Sequence, residues 1–286
     1  TEYESRNIAR IQVNSSLDTT KYREIVIEET IPPPFAQLYS TSDSNALTLN
    51  MNWANLQKQV EVANPGNTKI DPAVVETNGH NFFNAWSEYV SEGNGRTGFI
   101  IRYALVDQFG HNIVTARDLS LLNSNPLVYT QDYSLSLAVT TGDKIGATWV
   151  RLLWNSSTNL YNENVLFAVL NANGKVIYGP VSLTNNNQWA ESGTGNLIEF
   201  FSPSIANVSD YSFMISWDRY ILNGLKEIYY TIRQSTGDSI IATRRLTTGV
   251  INSREYTNQS LLALSSDRFF IFYKYVWSPD LETYYS

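Results

Sequence analysis

The chain repeats one pattern of apolar and polar positions. Each repeat begins with a short apolar segment, passes through a polar turn, and continues into a strand rich in aromatic residues. A bulky ring marks each of these aromatic strands, and the rings recur 56 to 68 residues apart: Trp86, Trp149, Trp217 and Tyr273. Repeats of this size are typical of stacked supersecondary units, because one unit alone cannot bury its apolar face.

Four extended segments are predicted in a complete repeat. The first strands are expected at 71–75, 133–139, 203–208 and 260–264, the third at 98–107, 163–171, 226–234 and 281–286, and the fourth at 112–120, 175–184 and 239–247. They are rich in β-branched and aromatic residues, and no sustained helical period occurs. The pattern predicts an all-β fold, a β-propeller-like array of about four to five four-stranded antiparallel blades, which can be a segment of a larger protein.

The repeat also predicts the domain organisation. Blades are expected at approximately 70–132, 133–201, 202–258 and 259–286, the last of them incomplete. Residues 1–69 form a less regular β segment, with a predicted hairpin over 8–13 and 23–29 before the prolines at 32–34. Since a propeller ring commonly joins strands from both termini, we expect this segment to complete the last blade or to add one.

Composition excludes several classes of partner. Charged residues make up only 16% of the chain and the net charge is −7, which argues against nucleic acid, because phosphate binding needs clustered Lys and Arg. No stretch approaches the roughly 20 apolar residues of a membrane helix. The absence of Cys excludes disulfides and thiolate metal sites. No pair of residues has metal-ligand spacing, so we expect neither a metal nor a cofactor.

Asparagine, serine and threonine supply much of the predicted surface, and four acceptor tripeptides for N-glycosylation occur among them. Their asparagines are Asn14, Asn155, Asn207 and Asn258. Low charge, many Tyr and these tripeptides together favour an extracellular or cell-surface location.

Three segments carry a family resemblance: FAVLNANGKVIYGPVSLTNN, RYALVDQFGHNIVTARDLS and YYTIRQSTGDSIIATRRLT. They resemble the blade repeat of surface-exposed bacterial and archaeal β-propeller proteins, which are broadly similar to sialidase-like propellers. The resemblance implies a modular extracellular or cell-envelope protein. TTGDKIGATW resembles the Asp box of sialidases, but one extra residue separates Asp143 from Gly146. We therefore interpret Asp143 as an ordinary hairpin-turn residue.

Charged residues two positions after the rings are candidate ligand-binding groups: Glu88, Arg151, Arg219 and Lys274, with Asp218 beside them. Equivalent positions of successive blades meet at one rim of a propeller. These groups either form a mixed-charge ring there or, as we favour, pair across neighbouring blades. Trp154 and Trp189 are candidate aromatic contacts for sugars or proteins. No catalytic constellation is found, and His80 and His111 are expected to be exposed beside turn glycines.

These observations favour a non-catalytic extracellular propeller module that serves in cell-surface structure, adhesion or assembly. Its expected partners are other surface proteins, glycans or further copies of itself, and we expect no enzyme activity. The alternative is a glycan-binding or glycan-hydrolysing propeller that uses Glu88, Asp218 and the arginines. A second alternative is a fibre or layer subunit whose incomplete terminal unit pairs between chains by strand addition.

Overall fold

The structure is a computed structural model that describes residues 8–14, 22–29, 35–40, 51–52, 67–191, 198–221, 225–247, 254–265 and 268–277. Side chains are described within 67–191, 198–220 and 227–247, and at Leu261, Phe270 and Ile271. The chain divides into two compact units, residues 1–61 and 62–286. Within the described residues, no helix is long and apolar enough to cross a membrane.

The first unit contains one antiparallel sheet of four strands. Its strands are β1 (Ile8–Asn14), β2 (Tyr22–Glu29), β3 (Phe35–Ser40) and β4 (Met51–Asn52), paired in that order. The predicted N-terminal hairpin is confirmed, since β1 and β2 pair from Ile8 opposite Glu28 to Asn14 opposite Tyr22.

The second unit contains three blades of four antiparallel strands and a further strand pair. A short parallel pairing joins the first two blades into one nine-stranded sheet. Blade 1 comprises β5 (Lys69–Glu76), β6 (Phe82–Ser91), β7 (Thr97–Val106) and β8 (Asn112–Asp118). Blade 2 comprises β9 (Val128–Val139), β10 (Lys144–Asn155), β11 (Leu160–Asn171) and β12 (Val176–Ser182), with β13 (Ala190–Glu191) beside β11. Blade 3 comprises β14 (Glu199–Ser209), β15 (Ser212–Ile221), β16 (Leu225–Gln234) and β17 (Ser239–Arg245), and β18 (Arg254–Ser265) pairs with β19 (Arg268–Trp277). The predicted all-β, propeller-like fold is confirmed.

Buried rings separate the blades, as the repeat predicts. Trp149 is fully buried among side chains of blades 1 and 2, including Phe83 and Ile101. Trp217 is 1% exposed and packs among side chains of blades 2 and 3, including Phe167. Each such burial stabilises the fold by about 1.5–3 kcal/mol or more. The side chain of Tyr273 lies outside the described residues.

A backbone irregularity recurs in the first strand of each complete blade. Asp71, Ser134 and Ser202 have φ angles of 50°, 55° and 47°, and the pairing with the second strand shifts register at each of these positions. Non-glycine residues with positive φ in a bulge cost energy, and such bulges re-aim neighbouring side chains. The first strands of neighbouring blades contact one another, β5 with β9, β9 with β14, and β14 with β18.

Short side chains connect these first strands. The Ser136 hydroxyl accepts a hydrogen bond from the Ile205 N–H at 3.3 Å, and one blade further on the Ser204 hydroxyl accepts one from the Leu261 N–H at 3.3 Å. Serines at equivalent positions of blades 2 and 3 thus accept equivalent hydrogen bonds from the next first strand.

The end of the blades where the first and third strands begin is called the upper rim. The charged candidate residues lie near this rim.

Candidate functional site

Glu88 lies near the end of β6, fully buried, and binds groups of its own blade. Its carboxylate accepts hydrogen bonds from Trp86 Nε1 at 2.8 Å, Asn67 Nδ2 at 2.9 Å and Arg102 Nη1 at 3.1 Å. Burial opposes its ionisation, but these bonds and the charge of Arg102 outweigh burial, so the pKa of Glu88 lies below its ordinary value. The buried charge of Glu88 is thus compensated by Arg102 and by neutral hydrogen-bond donors, as expected of a carboxylate with a structural role.

The charge of Arg151 is likewise compensated by a carboxylate of its own blade, blade 2. Its Nε and Nη2 each lie 2.7 Å from the Asp132 carboxylate, one bond to each oxygen, and Ser120 also donates to that carboxylate. Asp132 is fully buried. The ion pairs of Glu88 and Arg151 therefore form inside a blade. The expectation that these groups pair across neighbouring blades is wrong.

The remaining predicted residues are spread over several places. Asp218 is fully buried on β15, whereas Arg219 is half-buried and its guanidinium lies 5.5 Å above the centre of the Tyr229 ring. Trp154 stacks on Tyr161 with a ring separation of 6.3 Å, and Trp189 is 37% exposed. The side chain of Lys274 lies outside the described residues.

Two predicted glycosylation sites can be placed. Asn155 and Asn207 are half-buried, and the Asn155 side-chain oxygen accepts bonds from the Ser157 N–H and hydroxyl at 3.0 and 2.7 Å. The side chains of Asn14 and Asn258 lie outside the described residues. Whether any of the four carries a sugar stays a prediction.

Glu163, near the start of β11, is a carboxyl group in a different electrostatic setting. It is 4% exposed. Oε1 accepts a hydrogen bond from the Tyr133 hydroxyl at 3.1 Å, and Oε2 accepts one from the Phe200 N–H at 2.9 Å. Both donors are neutral, and Glu163 forms no ion pair with the described residues.

Burial therefore decides the protonation of Glu163. It raises the pKa of this carboxyl to about 7, against the opposing hydrogen bonds from Phe200 and Tyr133, and the charge of Glu199 raises it further. A buried carboxyl beside another carboxylate favours its neutral form. Glu163 thus holds a proton over a pH range in which Glu88 is ionised.

Asp71 is close enough to Tyr133 for its charge to act on the tyrosine hydroxyl. Its side chain is exposed, and its Oδ2 accepts a hydrogen bond from the Ser134 N–H at 2.7 Å. Burial raises the pKa of the Tyr133 hydroxyl, and the charges of Glu163, Glu199 and Asp71 add to that effect. An exposed carboxylate and a buried, protonated carboxyl thus act on one tyrosine. We call Asp71, Tyr133, Glu163 and Glu199 the acid cluster.

A cavity of about 370 Å³ opens between blades 2 and 3. Its wall from blade 2 is the segment 183–188, which presents Asn185, Asn187 and Gln188. The opposite wall consists of Trp217, Arg219, Tyr229 and Thr243, above Ile198 and Phe200. We call this the interblade pocket. Phe200 belongs to both places, because its N–H binds Glu163.

The amide-rich wall of the interblade pocket is held by Asn164 on β11. Its Oδ1 accepts hydrogen bonds from the Ser182 hydroxyl at 2.9 Å, the Thr184 hydroxyl at 2.8 Å and the Asn186 N–H at 2.7 Å. Asn186 Nδ2 in turn donates to the Glu163 carbonyl at 3.1 Å. The segment is thus fixed to the strand that carries Glu163, and a bound ligand would meet a preformed surface.

Sequence reasoning missed the acid cluster, although weak signals exist. Asp71 precedes Pro72, and Ser202 precedes Pro203 at the equivalent place, so small polar residues before the first apolar run mark the bulge. The sequence pattern marks Glu163 only as the first residue of a predicted strand. Across the part of the chain whose side chains are described, no three His, Asp or Glu groups converge as a metal site requires.

Searches of known proteins found similarity in fold. No family model and no curated protein matches the chain. Among solved structures, a thermostable family-43 glycoside hydrolase is 9% identical, with a TM-score of 0.43 over 96% of this chain and 86% of that one. An endo-arabinase from Bacteroides thetaiotaomicron is 13% identical, with a TM-score of 0.42 over 94% and 89%. A Penicillium chrysogenum α-L-arabinanase complexed with arabinobiose is 10% identical, with a TM-score of 0.38 over 94% and 78%.

These comparisons correct two expectations from the sequence. The chain was expected to be a non-catalytic surface module and not an enzyme, whereas the solved structures above are glycoside hydrolases. The resemblance to propellers of the sialidase-like class is confirmed at the level of the fold.

Proposed function

We propose that the chain is a glycan-hydrolysing propeller that acts through the acid cluster. One observation carries the proposal: Glu163 is a buried carboxyl without a cationic partner among the described residues, and its pKa is about 7. A carboxyl that keeps its proton near neutral pH is what protonation of a leaving-group oxygen requires.

The second group needed for hydrolysis is Asp71. Glycosidases commonly use two carboxyl groups about 5–9 Å apart, one as acid and one as base or nucleophile. Glu163 and Asp71 differ as these roles demand, because one is buried and the other is exposed. Glu163 would donate its proton to the glycosidic oxygen, and Asp71 would act on water or on the sugar. The Ser134 N–H holds the Asp71 carboxylate in place.

A glycan-binding function without hydrolysis is the second candidate. Both Glu163 oxygens already accept hydrogen bonds, and the side chain is only 4% exposed, which suits a supporting role beneath a binding surface. The interblade pocket, with its side-chain amides and the half-buried Tyr229 ring, offers groups that bind sugars in either case.

We also propose an extracellular or cell-surface location, in keeping with the resemblance to surface-exposed propellers. The low charge content and the acceptor tripeptides at Asn155 and Asn207 support it. Intact-mass spectrometry of the natural protein tests part of this proposal: added hexose-containing mass on either asparagine is expected, and a bare peptide mass would remove that support.

Hydrolysis is tested by reducing-sugar release from a panel of neutral and acidic polysaccharides with α and β linkages. The wild-type protein is expected to cleave at least one. Asp71→Asn and Glu163→Gln are expected to lower its rate by about 10²–10⁴-fold, the contribution typical of general acid–base groups. Glu76→Gln is the matched control, because Glu76 lies on the same strand, is exposed and binds only His80 in the described contacts.

Three outcomes separate the candidates. Cleavage lost in both variants and kept in the control supports hydrolysis by the acid cluster. Cleavage that survives both substitutions contradicts the assignment of these residues. Binding to a glycan column without cleavage contradicts hydrolysis and favours the glycan-binding function.

A further inference from the structure

Arg219 differs from Arg102 and Arg151 in its counter-charge. Arg102 pairs with Glu88 and Asp118, and Arg151 pairs with Asp132. Arg219 lies in the wall of the interblade pocket and has no carboxylate partner among the described residues. Its recorded hydrogen bond is a long one, 3.3 Å from Nη1 to the Tyr229 hydroxyl. Its Nε is buried without an acceptor in the described structure.

Glu227 is linked to Arg219 through Tyr229. It is 4% exposed, and it accepts hydrogen bonds from the Tyr229 hydroxyl at 3.0 Å and from Arg245 Nη1 at 2.9 Å. Arg245 therefore binds this carboxylate directly, whereas Arg219 contacts it only through the Tyr229 hydroxyl in the described contacts.

The shape of the guanidinium site suits a planar anion. Tyr229 covers one face of Arg219, with 5.5 Å from the guanidinium carbon to the ring centre, and itself stacks on Trp217. This stacking fixes the plane of the guanidinium and leaves its edge for hydrogen bonding. Arginine held in this way binds carboxylates through paired N–H donors. Asn185, Asn187 and Gln188 on the opposite wall supply amides for hydroxyl groups.

Resting on the proposed function, we propose that the interblade pocket is a specificity subsite for a carboxylate-bearing sugar, whose carboxylate binds the free edge of Arg219. A neutral sugar offers Arg219 only hydroxyl oxygens, whereas a carboxylate forms stronger, charge-assisted hydrogen bonds with a guanidinium. The preferred substrate is therefore an acidic glycan that contains a uronic acid or a related carboxylated residue.

Equilibrium binding tests this proposal independently of hydrolysis. Calorimetric titration of the inactive Glu163→Gln protein would compare oligosaccharides ending in glucuronic or galacturonic acid with their methyl esters, which keep the shape and remove the charge. We expect the acids to bind about tenfold or more tightly than the esters, the effect of one charge-assisted hydrogen-bonded pair. Esters that bind as tightly as the acids, or no binding by any of the acids, would overturn the proposal.

A pair of variants assigns the effect to the residue. Arg219→Gln is expected to abolish the preference for the acid, whereas Arg244→Gln, on the exposed part of β17 and outside the pocket wall, should keep it. A preference unchanged in Arg219→Gln overturns the assignment to Arg219. If the protein binds acids through Arg219 but cleaves nothing, the proposed hydrolysis fails while the subsite stands, so the two failures are distinguishable.

Discussion

At the residue scale, the upper rim holds carboxyl groups of two kinds. Glu88 and Asp132 are fully buried, and each binds an arginine of its own blade. Glu163 is equally enclosed but has only neutral donors. In a buried ion pair the opposite charge offsets the free-energy cost of desolvation. An unpaired buried carboxyl avoids that cost by keeping its proton. This difference in partners is the physical basis of the proposed acid.

The raised pKa of Glu163 makes stability depend on pH. Because the folded pKa of about 7 lies above the ordinary 4.5, the folded state holds this proton more tightly than the unfolded chain. The contribution is fully present below about pH 4.5 and is lost as pH rises through about 7. Between pH 5 and pH 8 the wild type should lose about 2 kcal/mol more unfolding free energy than Glu163→Gln.

Urea unfolding followed by tryptophan fluorescence at the two pH values measures that difference. Glu76→Gln, which removes an exposed carboxylate, should behave like the wild type. Parallel pH dependences of the wild type and Glu163→Gln would show that Glu163 titrates normally.

The paired groups give the opposite prediction. Arg151→Met removes the partner of Asp132 and leaves a buried carboxylate with fewer donors, so the free energy of unfolding at pH 7 should fall by about 3–5 kcal/mol. Chemical denaturation measures it. A loss below about 1 kcal/mol would mean that water replaces the guanidinium and that Asp132 is less enclosed than the structure shows.

Sequence patterns located the charged positions of the rim but could not assign their roles. Glu88, Arg151 and Arg219 follow their rings by two residues, which is visible in the sequence. Whether each meets an opposite charge depends on Arg102 and Asp132, which lie on neighbouring strands. Burial raises the pKa of Glu163, and the hydrogen bonds from Tyr133 and Phe200, 30 and 37 residues away, oppose that rise. A local sequence pattern does not predict contacts over such separations.

At the element scale, the bulges explain where the strand predictions fell short. Third and fourth strands in the described blades lie close to the predicted ranges. First strands were predicted to begin at 71, 133 and 203 but begin at Lys69, Val128 and Glu199. Each predicted start lies within one residue of Asp71, Ser134 or Ser202. A bulge interrupts the period-two alternation of apolar and polar residues. The sequence pattern therefore predicts a loop for the strand residues that precede the bulge.

The junction between blades 1 and 2 gives a further prediction. Gly98 pairs in parallel with Thr130 where β7 meets β9, and its φ is 153°. A Cβ at Gly98 would lie 2.1 Å from the Thr130 carbonyl oxygen. Because that neighbour is backbone, Gly98→Ala should destabilise the protein by about 2 kcal/mol or more.

The matched control for this junction is Gly93→Ala in the preceding turn, where a Cβ would meet nothing within 4 Å. Thermal unfolding of the two variants, compared with the wild type, measures the effect. Equal melting temperatures for Gly98→Ala and Gly93→Ala would contradict the close approach of β7 and β9.

At the scale of the whole molecule, stacking of blades brings separate segments to one site. Asp71 comes from blade 1, Tyr133 and Glu163 from blade 2, and Glu199 from blade 3. The repeat was sufficient to predict the propeller-like array, since ring spacing and strand composition are local features. It could not predict the acid cluster or the interblade pocket, since both depend on how adjacent first strands are placed.

The account depends most on Glu163 acting as a proton donor, and the pH dependence of kcat/KM on a cleaved glycan tests this most directly. We predict that kcat/KM of the wild type falls about tenfold per pH unit above about pH 7, as the acid loses its proton, and that Glu163→Gln shows only a low, flat residual rate. A wild-type profile that stays level or rises between pH 7 and pH 9 would contradict the assignment.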